Sequence, residues 1–251
     1  MILKNLSQSL KKGLKGTGAV FNKEKMQYFN SFLIYGIDAA FLFVFGIIAS
    51  IIVIGARYGD PSILMPNTAV LFLFITPFMT MRLMATEKRL GTDELLFTSP
   101  ISDWGIVLGK FFGGLLAYAF IIATLLIYFA LIYAVSSYHI PVLIAGIIGL
   151  LLLSSAYVSI GLFASTSTSN QFVAAALAFA ILLAFWVVDL LAKMFKYPFS
   201  EYIRYLSLLN HFEKFSRGII STSDIIYFLS ITFFFLYLSY RNIAMREWKL
   251  K

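Results

Sequence analysis

Long apolar runs separated by short polar interludes dominate the chain, and their lengths assign its elements. Six runs, residues 32–55, 66–83, 104–135, 142–164, 172–192 and 225–240, carry at most one charged residue each. About 20 helical residues suffice to cross a bilayer core. None of the runs alternates as the strands of a membrane barrel must. The pattern therefore predicts an all-α, polytopic membrane helix bundle with six transmembrane helices. The second run is short and contains Pro77, so a kink or support from neighbouring helices is expected. The third is longer than a bilayer core requires and is expected to project beyond it at its Lys110 end. The sixth is also short, with Arg241 placed to snorkel and Trp248 to sit at the interface.

The polar interlude at 82–110 is the most structured of the connections. The incoming helix ends in Lys88 and Arg89, and Gly91 follows as a C-terminal breaker. Thr92 is a good N-cap for a second, short helix, with Asp93 and Glu94 in its first turn, favourable against the helix dipole. That helix stops before Ser99-Pro100, because the residue preceding a proline avoids helical geometry. Leu95, Leu96 and Phe97 form its apolar side. Ser102 or Asp103 can cap the next helix, which begins at Trp104. A short, capped, amphipathic helix between two spans reads as an element held by something outside the membrane.

The segment 1–30 carries six lysines, and Ile2, Leu3, Leu6, Leu10 and Leu14 fall near helical spacing. A helix lying on an anionic membrane surface and a solvated basic tail both fit this pattern. Gly13, Gly16 and Gly18 are expected to loosen the chain before Phe21.

Composition agrees with the membrane assignment. The 251 residues are 60% hydrophobic and only 13% charged, more apolar surface than a soluble domain of this size can bury. Cysteine is absent, which excludes disulfides, thiolate metal sites and thiol nucleophiles. The net charge of +8 sorts by topology and not toward nucleic acid. With both termini on one side, that side receives fourteen of the twenty Lys and Arg residues. The positive-inside rule then places both termini and the 82–110 segment in the cytoplasm. The basic residues at 193–217 belong to a long outer connection, 197–223, in which short extracellular helices are expected. No signal peptide is expected, since the first apolar run follows a basic segment.

The run Glu87-Lys88-Arg89-Leu90-Gly91-Thr92-Asp93-Glu94-Leu95-Leu96, followed by Ser99-Pro100-Ile101-Ser102 and Gly109-Lys110, resembles the coupling segment of type-2 ABC exporter permeases. It is especially similar to the gliding-motility-like branch of that family. Phe21-Asn22-Lys23-Glu24 through Tyr28-Phe29-Asn30-Ser31 resembles the family's interfacial elbow helix. His211-Phe212 with Ser216-Arg217-Gly218 agrees as well. The likeness covers roughly 21–240 and leaves out the first twenty residues. It implies a basic segment and elbow over 1–30, a six-span domain over 31–241 and a cytoplasmic tail over 242–251. It also implies a cytoplasmic coupling helix, with Glu87, Gly91, Thr92, Asp93, Glu94, Leu95, Leu96, Phe97 and Pro100 as the ATPase-coupling residues. Asp93 and Glu94 are expected to present negative charge to the partner, and Glu87 to brace the corner by pairing with a base. The partners implied are two ABC ATPase subunits, a second permease chain, identical or homologous, and the lipid bilayer of the cell membrane.

The chain offers little chemistry of its own. It has no G-x-x-x-x-G-K-[ST] loop, so ATP and Mg belong to a separate ATPase and this chain is expected to hold no cofactor. Neither His139 nor His211 has metal-binding spacing, and no nucleophile–base set converges, so no metal or catalytic residue is assigned. Ser165–Asn170 reads as a tight cytoplasmic turn. Two acids lie within runs, where a carboxylate is a functional candidate by default. Asp189 has Lys193 one turn later as a pairing partner. Asp38 has no such base, and either lines a pathway or bonds a hydroxyl of a neighbouring helix. Gly105, Gly109, Gly113 and Ala117 form a small-xxx-small ridge that admits another helix closely. An ABC exporter permease accounts for these features best. A secondary transporter or channel would show repeats and more intramembrane polar groups, and a membrane enzyme would show converging catalytic residues.

Overall fold

Local capping sets where several of the helices begin. The structure is a computed structural model that describes residues 2–56, 59–97, 99, 101–135, 138–194 and 204–250. Over these the chain runs α1 (Ile2–Phe29), α2 (Phe32–Ala56), α3 (Pro61–Thr80), α4 (Ala85–Leu90), α5 (Asp93–Phe97), α6 (Asp103–Val135), α7 (Ile140–Ser167), α8 (Gln171–Met194), α9 (Leu208–Ser216) and α10 (Thr222–Leu250). Among the described residues there is no strand.

Asp60 caps α3, its carboxylate accepting from Ser62 N at 2.9 Å, with Pro61 at the first helical position. Ser102 caps α6 by accepting from Gly105 N at 3.1 Å. Asn170 opens α8 by accepting from Phe172 N at 2.9 Å. Ser207 caps α9 by accepting from Asn210 N at 3.1 Å.

Among the described residues, six helical segments are long and apolar enough to cross a membrane: Phe32–Gly55, Pro61–Leu90, Asp103–Ala134, Ile140–Ser167, Gln171–Leu191 and Thr222–Arg246. This is a multi-pass membrane protein. The bundle has a centre and a periphery. In α7 and α3, 67% and 56% of the most apolar stretch is buried, against 22% in both α2 and α8. Helix α10 lies along α7, and α1 lies along α6. Small residues allow the closest crossings. A Cβ on Gly161 of α7 would lie 2.1 Å from Thr80 Oγ1 of α3, so no side chain fits there.

Four expectations from the sequence are corrected. The glycines at 13, 16 and 18 do not interrupt the N-terminal segment: α1 is one helix from Ile2 to Phe29. Gly16 meets Ile101, so the segment is docked against the following chain. The second span does not continue unbroken to Lys88 and Arg89, because a turn at 81–84 separates α3 from α4. The Lys110 end of the third span does not project freely; Lys110 is fully buried. The last helix does not end at Tyr240 but continues to Leu250. The side chains of Trp248 and Lys193, and therefore the roles expected of them, lie outside the described residues.

Candidate functional site

Residues 81–97 form a corner, and five helices hold it. Helix α7 supplies the first hold. At the break between α3 and α4, the backbone N–H groups of Met84 and Ala85 donate to Ser165 Oγ at 2.9 and 3.0 Å. The same hydroxyl donates to Met81 O at 3.2 Å. One side chain thus satisfies both ends of a helix interruption that would otherwise leave buried backbone groups unpaired. Gln171 of α8 adds a bond to Thr86 Oγ1 at 2.6 Å, and Lys88 donates to Thr166 O.

Gly91 ends α4 in the left-handed conformation, at φ 70°. Its N–H and that of Thr92, the latter at 3.0 Å, both donate to Glu87 O. This pairing closes a helix with a left-handed residue, which glycine adopts at least cost. The Glu87 side chain points the other way, into the bundle. Its Oε1 lies 2.5 Å from Lys23 Nζ of α1, and its Oε2 lies 2.8 Å from Lys110 Nζ of α6.

Lys110 is the centre of the arrangement. Its ammonium donates to Glu24 Oε1 at 2.7 Å and to Leu83 O, and it pairs with Glu87. Two hydrogen-bond acceptors and a second carboxylate thus surround the ammonium, the compensation that a buried charge requires. Two lysines and two glutamates balance in charge. Burial pushes the Glu24 carboxyl up from its ordinary range, against the opposing pull of Lys110.

The glycine ridge on α6 brings these groups together. A Cβ on Gly109 would lie 2.7 Å from Val20 Cβ, and one on Gly113 would lie 2.5 Å from Glu24 Cβ. Gly105 faces Thr17 in the same way. The helix that approaches Gly105, Gly109 and Gly113 is α1 of the same chain, and this contact carries Glu24 to Lys110.

Of the outward-facing residues, Leu95 is 72% and Leu90 65% exposed, flanking the Gly91 turn, and Glu94 is exposed beside them. Leu96 packs against the core instead. Asp93 departs from expectation. It is fully buried, with its Oδ2 2.6 Å from Arg246 Nε of α10, so it faces its own chain and offers no charge at the surface. The Phe97 side chain and Pro100 lie outside the described residues.

The family's sequence model, described as ABC-2 family transporter protein, matches residues 3–244. The chain belongs to the ABC-2 transporter family. As a member it is an ABC transporter permease of the membrane, and the family implies an ABC ATPase as partner. Comparison with curated proteins finds no match. The match begins within the segment that the sequence resemblance left out, in keeping with α1 being part of the folded domain.

Elsewhere in this ABC-2 permease, Asp38 is buried and accepts from Thr124 Oγ1 of α6 at 2.9 Å. Asp189 accepts from Ser207 Oγ, the cap of α9, at 2.9 Å. On the opposite face, His211 Nδ1 lies 2.5 Å from Asp224 Oδ1, and Lys214 Nζ reaches the same oxygen at 3.0 Å. The imidazole also stacks on Tyr227, with ring centroids 3.9 Å apart, so these residues latch α9 to α10.

Sequence reasoning missed Lys23, Glu24, Lys110, Ser165 and Arg246. The signal was present only for Lys110, a lone charge in an otherwise apolar run. Its partners are 86 and 23 positions away, beyond the reach of any helical spacing rule.

Proposed function

We propose that this chain is the transmembrane permease subunit of an ATP-driven exporter. In this reading it pairs with a second permease chain, identical or homologous, and is driven by two ATPase subunits docked on 82–110 from the cytoplasm. ATP and Mg are held in those subunits, and both termini lie in the cytoplasm. Kinship with the gliding-motility-like branch belongs to the same proposal. The observation that carries the reading is a pair of exposed leucines, Leu90 and Leu95, mounted on a corner fastened to five helices of the bundle.

A push on α4 reaches α7 through Ser165, α8 through Gln171, α6 through Lys110 and α1 through Lys23. Packed contacts of this kind transmit displacement because the interior is not freely compressible. The shallow burial of α2 and α8 leaves two long apolar faces for lipid and for a second permease chain.

Cysteine crosslinking tests the coupling directly, since the chain has no native cysteine. Cysteines at Leu90, Thr92 and Leu95 are expected to crosslink to the copurifying ATPase. Crosslinks from Ser169 alone would instead assign coupling to the short α7–α8 connection.

A further inference from the structure

A cavity of about 760 Å³ opens between α4, the end of α7 and the last turns of α10. Lys88, Arg241 and Arg246 all line it, so three cations from two separate elements converge on one concavity. Among the described residues one carboxylate pairs with these cations: Asp93 lies against Arg246 Nε. Within the described residues, two positive charges therefore remain without an ion-pair partner. Arg241 makes no hydrogen bond or ion pair with any described residue, and the terminal nitrogens of Arg246 make none either. The wall behind these charges is fixed. Asn242 Nδ2 donates to Thr166 Oγ1 at 3.2 Å and to Ser167 Oγ at 3.0 Å, tying α10 to α7.

We propose that this cavity is a binding site for a phosphoryl-bearing anion, recognised by the forked donors of Arg241 and Arg246 with Lys88 as a point charge. Guanidinium groups match phosphate oxygens in planar pairs, and an unoccupied cluster of three cations carries a repulsion that an anion relieves. Two sources share this chemistry: the headgroup of an anionic lipid and free phosphate. The setting suits a headgroup. Trp104 stacks on Tyr240 at 4.8 Å immediately before Arg241, and Trp and Tyr gather at the membrane–water boundary. Ala244 and Met245 add an apolar strip to the same wall. A bound anion bridges α4 to α10 and so adds to the hold that Asp93–Arg246 and Lys88–Thr166 give the corner on this side. This site goes beyond the permease reading and does not depend on it.

The test uses the full chain purified and delipidated in neutral detergent, with binding followed by native mass spectrometry and thermal unfolding. Phosphatidylglycerol, phosphatidylcholine and inorganic phosphate are titrated into the wild type, Arg241→Gln and Lys88→Gln. Saturable phosphatidylglycerol binding, absent for phosphatidylcholine and weakened about fivefold by each substitution, is the expected result. Saturation by inorganic phosphate with the same sensitivity, and no gain from the lipid, supports the site with free anion as its source. Arg241→Gln serves as the clean variant because it removes no hydrogen bond or ion pair to a described residue. Binding that ignores both substitutions, equal binding of phosphatidylcholine, or no binding at all would overturn the proposal. So would an ATPase-assembled complex that excludes both anions while a cysteine at Asn242 crosslinks to the ATPase, since the cavity would then be a protein contact.

Discussion

Lys110 and Glu24 meet at 2.7 Å across 86 positions of sequence, and their side chains are 0% and 3% exposed. A charge in such a place must be fully compensated, and removing one partner leaves the other stranded. Lys110→Met is therefore expected to cost about 3–5 kcal/mol of stability. Adding Glu24→Gln and Glu87→Gln to it should recover most of that loss, because a neutral cluster of similar volume strands no charge. Thermal unfolding of the purified variants checks both. A triple variant no more stable than Lys110→Met would show that the loss came from packing and not from charge.

Of the three ridge glycines, Gly113 is the one where an added Cβ would come nearest to α1, overlapping that of Glu24. Gly113→Val is expected to push α1 outward and to destabilise by about 1–3 kcal/mol or more. A cysteine placed at Thr17 should become more accessible to alkylation in that background. Unchanged alkylation and an unchanged melting temperature would mean that α1 does not depend on the ridge.

Ser165 holds the α3–α4 break through three hydrogen bonds. Ser165→Ala leaves two buried N–H groups unpaired, at a cost of about 1–3 kcal/mol. If the corner transmits work, the variant should hydrolyse ATP in the assembled complex while moving less substrate per ATP. A proportionate loss of hydrolysis and transport would count against transmission through this hydroxyl.

Leu95 and Leu96 are neighbours with opposite surroundings, one exposed and one packed on the core. Leu95→Ala should weaken ATPase association by up to about 1–3 kcal/mol while leaving the melting temperature of the isolated permease unchanged. Leu96→Ala should lower that melting temperature. If both changes act only on stability, the leucines are structural and docking lies elsewhere.

Asp38 already has a hydroxyl partner in Thr124. An asparagine keeps an acceptor for that bond, so Asp38→Asn is expected to leave assembly intact and transport within about twofold of wild type, given the small net worth of one hydrogen bond. A transport loss of tenfold or more, with assembly intact, would place Asp38 on a pathway.

Run length and capping chemistry determined the spans and the corner from sequence alone. A stretch of more than twenty apolar residues has few alternatives to a membrane helix. Gly91 and Ser102 act on backbone groups within a few residues, so their roles are legible locally. What lay beyond reach was which groups face one another across helices. The ridge at Gly105, Gly109 and Gly113 announced a close approach, yet nothing in its spacing named α1 as the helix that makes it. Asp93 read as an exposed acid because its partner, Arg246, is 153 positions further along the chain. Ser165 read as part of a turn because its acceptors and donors belong to a break in a different helix. Hydropathy and caps are properties of neighbours in sequence. The pairing of buried charges and the filling of glycine grooves depend on how the helices are arranged around α3 and α7, and only the tertiary structure decided them.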